Sequence, residues 1–215
     1  MKILSIDTAS DVCGVSILED NKLICNLDEN TGRTHSENLM PMIQEAFNKT
    51  NLQLKDIDLI ICDKGPGSFT GIRIGIATTK GFSDSLDIPT IGVSSLEVFA
   101  YNKKDELNEN DYICSVIDCK NDNCYYALYQ FKNNSFVEIV SPCADSISIL
   151  ETLKNKYTNI TFTGDVYGDK LNSYSLGLAG LDKYNNKQFD DVLPLYLKKP
   201  QAQIQLEQGL LKTNN

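Results

Sequence analysis

Residues 57–93 read IDLIICDKGPGSFTGIRIGIATTKGFSDSLDIPTIGV. The apolar run Ile57 to Cys62 predicts a buried strand. It enters Gly65-Pro66-Gly67-Ser68-Phe69-Thr70-Gly71, a turn built from residues that end regular structure. The spacing then predicts a helix from Thr70 to Ser85 and a short strand from Pro89 to Val93. Strand, glycine-rich turn, helix and strand point to an α/β protein. Such a turn either aims free N–H groups at an anion or simply redirects the chain tightly. It is not a Walker-type loop, because no Gly-Lys-Ser/Thr follows.

The helix in this stretch has more apolar surface than one stripe needs. Its charges, Arg73, Lys80 and Asp84, form a narrow line. The rest is small or apolar, including Ile74, Thr78 and the glycines Gly71 and Gly75, one turn apart. One face must meet its own sheet, and the other needs a second cover. The excess reads as a contact patch for another chain, with burial under a second lobe as the competing reading.

Towards the N-terminus, Lys2 to Asp7, the VCGVSIL that follows Asp11, and Leu23 to Leu27 predict three strands joined by short turns. Thr34 and Glu37 have capping-box spacing, and Leu39, Met42, Ile43, Ala46 and Phe47 recur as a helix stripe. Met40 lies outside that stripe, and Pro41 predicts a kink. Ser94 or Ser95 can cap a further helix through Tyr101.

The polar stretch NKKDELNEND, residues 102–111, divides the chain. Beyond it the plan restarts. Tyr112 to Asp118, Cys124 to Phe131 and Phe136 to Val140 predict strands, Ile147 to Lys156 a helix and Ile160 to Thr163 a strand, followed by a weaker tail. The order is that of the first half, so two lobes are expected, residues 1–101 and 112–215. The last helix of the second would pack back on the first. Two-lobed proteins of this plan include the actin-like superfamily, where a hairpin from each lobe approaches a nucleotide phosphate. The matching hairpins are Asp7-Thr8-Ala9-Ser10 and Asp118-Cys119-Lys120-Asn121. A weak nucleotide contact would use Asp7, Thr8, Gly67, Ser68 and Asp118. Against it, neither hairpin has the glycine that lets a backbone approach a phosphate, and aspartates are common where strands meet turns.

The 215 residues carry 20 basic and 29 acidic side chains, a net charge of −9, with two arginines, Arg33 and Arg73. That disfavours the chain as the main holder of a nucleic acid. Seven cysteines without CxxC spacing and a single histidine, His35, make a zinc site unexpected and read as reduced, mostly buried thiols. His35 reads as a first-turn helix residue before it reads as a catalyst. The N-terminal MKILSIDTAS is too short and too acidic for a signal peptide, so a cytoplasmic chain with no membrane partner is expected.

The segments ILSIDTAS, HSENLMPMI, DKGPGSFTGIRIGIATTKGFSDSLDIPTIGVSSLE and PLYLKK together resemble the bacterial TsaB (YeaZ) family. The match is dense over residues 1–100 and thinner beyond. The resemblance implies an actin-like (ASKHA) two-lobed α/β fold, each lobe a mixed β-sheet flanked by helices. It implies a role in making threonylcarbamoyladenosine beside the tRNA anticodon, with a related catalytic partner, TsaD, and a small P-loop ATPase, TsaE. In TsaD, two metal-binding histidines follow the Gly-Val dipeptide. Here those places hold Ser95 and Phe99, which cannot replace imidazole ligands. The second-lobe Asp118 is followed by CKNDN where relatives often carry basic residues and a glycine, and the stretch after Gly168 is shorter than is typical.

The resemblance therefore implies a non-catalytic scaffold with no metal and no cofactor of its own, ATP acting at the level of the complex. Its interface with TsaD would use Leu39, Met40, Ile43, Gly71, Arg73, Ile74, Gly75 and Thr78, on helices 36–47 and 70–85. The same patch would make a self-dimer when the chain is alone, and tRNA would be met only through the complex. The rivals are a stand-alone kinase or ATPase of the same fold, and a peptidase. The first needs glycine-rich phosphate loops in both lobes, and the second a metal pair or an activated nucleophile. The sequence shows neither.

Overall fold

The computed structural model describes residues 1–30 and 34–197. Arg33, the two lysines of PLYLKK and the rest of the tail lie outside the described residues. Two mixed sheets form the frame. The first has the order β3-β2-β1-β4-β5, with β1 Lys2–Asp7, β2 Cys13–Glu19, β3 Lys22–Glu29, β4 Leu59–Asp63 and β5 Thr90–Val93. The second has the order β8-β7-β6-β9, with β6 Tyr112–Asp118, β7 Asn123–Lys132, β8 Ser135–Ser146 and β9 Ile160–Thr163. In each, an antiparallel meander of three strands is extended by a parallel strand, β4 beside β1 and β9 beside β6. The second sheet thus repeats the first without its fifth strand.

Helices and sheets alternate in layers. α1 (His35–Thr50) and α2 (Phe69–Leu86) cover the outer face of the first sheet. α3 (Ser95–Asn102) and α5 (Ser173–Asn185) fill the space on its other face, and α3 also packs on β6 and β7. α4 (Ile149–Lys156) covers the far face of the second sheet, where Leu153 meets Cys114, Val116 and Leu128. The central strands face helices on both sides. In β1, Ile3 points into the α3–α5 layer while Leu4 and Ile6 point towards α1. This is why β1 and β4 read as continuous apolar runs rather than alternating ones. No helix among the described residues is long and apolar enough to cross a membrane.

Three local readings differ from the structure. α1 runs unbroken through Pro41, which is exposed. β8 continues past Val140 through Pro142 to Ser146. It is an edge strand, where a missing N–H costs no ladder bond, and its pairing to β7 is irregular between Tyr126 and Tyr129. The weak tail contains α5. Its buried positions are mostly small, Ser173, Ser175, Gly177, Ala179 and Gly180 beside Leu176, while Tyr174, Leu178 and Leu181 pack on the same core half-buried. The small stripe lets the helix lie close on the sheet. A Cβ at Gly180 would sit 2.4–2.6 Å from the Ile61 side chain, and one at Gly177 2.6 Å from Leu18. Asn172 caps this helix, its Oδ1 accepting the N–H groups of Tyr174 and Ser175 at 3.0 and 3.1 Å.

A strap then returns along the first sheet. The Gly92 N–H of β5 donates to the Asp190 carbonyl at 2.9 Å, and the Leu195 N–H to the Lys64 carbonyl at 2.7 Å. Tyr196 receives the Arg73 Nε–H at 2.9 Å and stacks near Phe69. Gly180→Val is expected to lose about 1–3 kcal/mol of stability by overpacking against Ile61, well beyond any gain in helix propensity. Urea unfolding followed by circular dichroism checks this. An unchanged midpoint would mean that α5 sits further from the sheet.

Candidate functional site

A cleft of about 610 Å³ opens between the lobes. The β1–β2 turn (Ala9 to Val12) and the β4–α2 turn (Pro66 to Ser68) line it from the first lobe. Ile117, Asp118, Lys120 and Tyr125 line it from the second, with Asp165, Asp169 and Lys170 beside them. The two hairpins singled out by their aspartates therefore meet one space. Asp118, Gly67 and Ser68 are in its wall, whereas Asp7 and Thr8 lie beneath it, 2% and 0% exposed.

The three strand-ending aspartates do the same local work. Asp7 Oδ1 accepts the Ala9 N–H at 2.9 Å, Asp63 Oδ1 the Gly65 N–H at 2.7 Å and Asp118 Oδ1 the Lys120 N–H at 2.9 Å. Each is an Asx turn that closes a strand. Asp63 was not singled out from sequence. The signal was available, because it ends an apolar strand before a turn just as Asp7 does.

The glycine-rich turn is filled by the chain itself. The Ser68 N–H donates to the Ala9 carbonyl at 2.7 Å, and Thr8 Oγ1 donates to the Gly71 carbonyl at 2.7 Å. The Ser68 hydroxyl caps α2 by accepting the Gly71 N–H at 3.2 Å. A Cβ at Gly67 would lie 2.1 Å from the Ala9 carbonyl oxygen, and one at Gly71 2.0 Å from that of Thr8. Backbone carbonyls of the hairpin thus occupy the positive end of α2, where a phosphate would otherwise go. The remaining wall is acidic, with Asp11, Asp118, Asp165 and Asp169 against Lys120 and Lys170. Burial raises the Asp165 carboxyl above its ordinary range, and the Asp118 charge adds to this. The arrangement suits a tight turn better than a phosphate cradle.

The other singled-out groups also have structural partners. The Ser95 hydroxyl donates to Asp63 Oδ1 at 2.7 Å, and Phe99 is in the core, 2% exposed. His35 starts α1, and its Nε2–H donates to the Ser10 carbonyl at 2.8 Å. Among the described residues no group of three or more His, Cys, Asp or Glu side chains could hold a metal ion. All seven cysteines are free, five of them buried, and burial pushes the Cys13, Cys62 and Cys114 thiols up to about 12. Glu37 accepts both the N–H and the hydroxyl of Thr34, at 3.2 and 2.9 Å, which closes the start of α1.

The eight residues read as a partner surface divide into two sets. Leu39 and Ile43 are 1% and 3% exposed, packed in the lobe's own core, and Gly71 and Gly75 also face inward. A Cβ on Gly75 would meet Thr8 Oγ1 at 2.4 Å, with Ile6 and Cys62 behind it. The expectation that these two glycines open a face for a partner is thereby corrected, because the close approach they permit is to β1 of their own lobe. Met40 (51% exposed), Arg73, Ile74 and Thr78 remain at the surface or half-buried. Between α1 and α2 runs a groove of about 250 Å³ lined by Met40, Ile43, Phe47, Leu54 and Phe82.

Comparison with known proteins agrees with this architecture. The sequence model of TsaD, tRNA N6-adenosine threonylcarbamoyltransferase, matches residues 27–164. The tRNA threonylcarbamoyladenosine biosynthesis protein TsaB of Bacillus subtilis is 33% identical over 165 residues, 76% of this chain and 71% of that protein. The chain belongs to the TsaB family. The TsaB of Escherichia coli K12 is 34% identical over 134 residues, 62% of this chain and 57% of that relative. The solved structure of YeaZ from Pseudomonas aeruginosa shares the fold, with a TM-score of 0.77 over 91% of this chain and 99% of that one at 20% identity. The actin-like two-lobed plan of the TsaB family is therefore the plan of this chain.

Gly75→Arg is expected to unfold the first lobe, with a loss of about 4 kcal/mol or more, since it strands a charge and a long side chain against β1. Loss of the cooperative thermal transition checks this. A folded variant would put Gly75 on the outside of α2.

Proposed function

We propose that the chain serves tRNA threonylcarbamoyladenosine biosynthesis as a non-catalytic scaffold that binds and supports a TsaD-type transferase. The names of its relatives support the pathway. The observation that carries the scaffold role is the outer face of α1 and α2. It presents Met40, half-buried Ile74 and Thr78 and the groove between the helices, and α2 packs only on α1 and strands of its own sheet among its main contacts. Among the described residues the second lobe reaches this side of α2 only through the strap, where Tyr196 meets Phe69 and Arg73. The match of the TsaD sequence model spans both helices. A TsaD-type partner would present equivalent helices, so a pairing close to two-fold symmetry is favoured, and so is self-pairing when the chain is alone. Chemistry belongs to the partner. The chain's cleft has its helix N-terminus filled by carbonyls and its wall dominated by aspartates, which leaves nucleotide contact at Asp7, Thr8, Gly67, Ser68 and Asp118 weak at most. A TsaE-type ATPase would supply the ATP step in the assembled complex. With net charge −9 the chain would meet tRNA only through that complex.

The test is binding of the TsaD relative from the same genome by the full chain and by Met40→Asp and Thr78→Arg. Both sites avoid the buried stripe, so folding is retained. Loss of central contacts should cost about 2 kcal/mol or more, roughly thirtyfold in affinity, in calorimetry or pull-down. Unchanged affinity with intact circular dichroism would move the interface elsewhere.

A further inference from the structure

Two carboxylates are buried side by side beneath the cleft floor. β1 and β4 are parallel neighbours with Ile6 opposite Cys62, so Asp7 and Asp63 end adjacent strands at the same level. They are 2% and 0% exposed. Asp63 Oδ1 accepts two donors, the Gly65 N–H and the Ser95 hydroxyl, both at 2.7 Å. Asp63 Oδ2 is buried and has no donor. A charged carboxylate oxygen without a donor in the interior is strongly disfavoured, and a second carboxylate beside it makes the case worse. A proton on one of the two acids resolves both problems.

We propose that Asp7 and Asp63 hold one proton between them in the folded chain, and that this proton locks together the two turns that floor the cleft and seat α2. The turns depend on the pair directly. Asp7 holds the Ala9 N–H and Asp63 the Gly65 N–H. The same turns are joined by Ser68 to Ala9 and Thr8 to Gly71, and the Ser95 N–H at the start of α3 donates to the Gly65 carbonyl of the second turn. With the proton, the pair carries one charge. Without it, two like charges sit at neighbouring strand ends in a poorly polarisable interior, and they are relieved only when the turns part and water enters.

The surrounding groups do not remove the conflict. Asp28 on β3 adds negative potential at Asp7. Cys13 on β2 and Cys62 on β4 are held as thiols by burial. Lys64 pulls Asp63 towards the charged form, but it is shared with Asp190 at 3.0 Å. His35 of α1 is bound to the Ser10 carbonyl, α2 presents Gly75 and Thr79, and α3 contributes the neutral Ser95. Burial first, and then the Asp63 charge, raise Asp7 well above the carboxylate range, and burial raises Asp63 to about 7. Between the ordinary carboxylate value and these raised values the folded chain binds more protons than the unfolded one. Stability therefore falls as pH rises through that interval.

The decisive variant is Asp63→Asn in the full chain. Its Oδ1 keeps both donors, and its Nδ2 can donate to Asp7 in place of the shared proton at every pH. Thermal melts of both proteins are compared from about pH 5 to about pH 9. The stability of the variant relative to the parent should rise with pH, by on the order of 5 °C in melting temperature across the range. Exchange of the Ala9, Gly65 and Ser68 amides, corrected for its intrinsic pH dependence, should accelerate at high pH in the parent alone. A difference that stays constant with pH overturns the proposal. If Asp63→Asn does not fold, carboxyl-carbon NMR of the aspartate-labelled parent decides. One aspartate still titrating above about pH 6 supports the shared proton, and complete titration of every aspartate by about pH 5 overturns it.

Discussion

The docking of the β1–β2 turn into the N-terminus of α2 is the contact on which the first lobe depends. Two hydrogen bonds, Ser68 to Ala9 and Thr8 to Gly71, join backbone to backbone and hydroxyl to backbone across the end of the sheet. They form only because Gly67 and Gly71 have no Cβ, which would stand about 2 Å from the carbonyl oxygens of Ala9 and Thr8. The positive end of α2 is thereby neutralised within the chain. The direction of α2 follows from this contact, and so does its distance from α1. α1 is tied to the same turn through His35 and the Ser10 carbonyl. The outer face that α1 and α2 share is thus set by a handful of bonds at the cleft floor.

This contact also makes the cleft floor a poor seat for a phosphate. A phosphate loop needs unpaired N–H groups and room for an anion. Here the loop is spent on its neighbour, and the opposite wall adds aspartates. On the outside of the lobe Met40 of α1 is exposed, and on α2 the half-buried Ile74 and Thr78 lie among the exposed Arg73 and Lys80.

The sequence made the sheets legible, because their central strands are buried on both faces and show as unbroken apolar runs. The duplication was legible from the order of elements alone. A last helix packing back on the first lobe was expected, but not its bounds, since α5 sets small residues, Ser173, Gly177 and Gly180, among the larger Tyr174, Leu176, Leu178 and Leu181 that also pack on the core. The continuation of β8 was hidden by Pro142, which only an edge strand tolerates. The direction of Gly71 and Gly75 could not be read from a helix that is small or apolar on nearly every side. Composition shows that two faces need cover but not which glycine lies on which face. Asp63 ends its strand as Asp7 does and could have been marked for that, but its place beside Asp7 in the sheet, 56 residues away in the chain, is a matter of strand pairing that no local pattern carries.

The α3–α5 layer decides whether this frame can move. Tyr101 of α3 donates to Asp182 of α5 at 2.6 Å, and Ser135 of β8 donates to the same carboxylate. Lys183 of α5 pairs with Glu97 of α3 at 3.2 Å, both side chains being about 15% exposed or less. Burial raises Glu97 to about 7 even with this partner, so the pair is held by packing as much as by charge. Removing one member of such a buried pair typically costs about 3–5 kcal/mol, a large share of a domain's stability. One aspartate of the shared helical layer thus fastens elements of both lobes. A layer bonded in this way resists hinge motion.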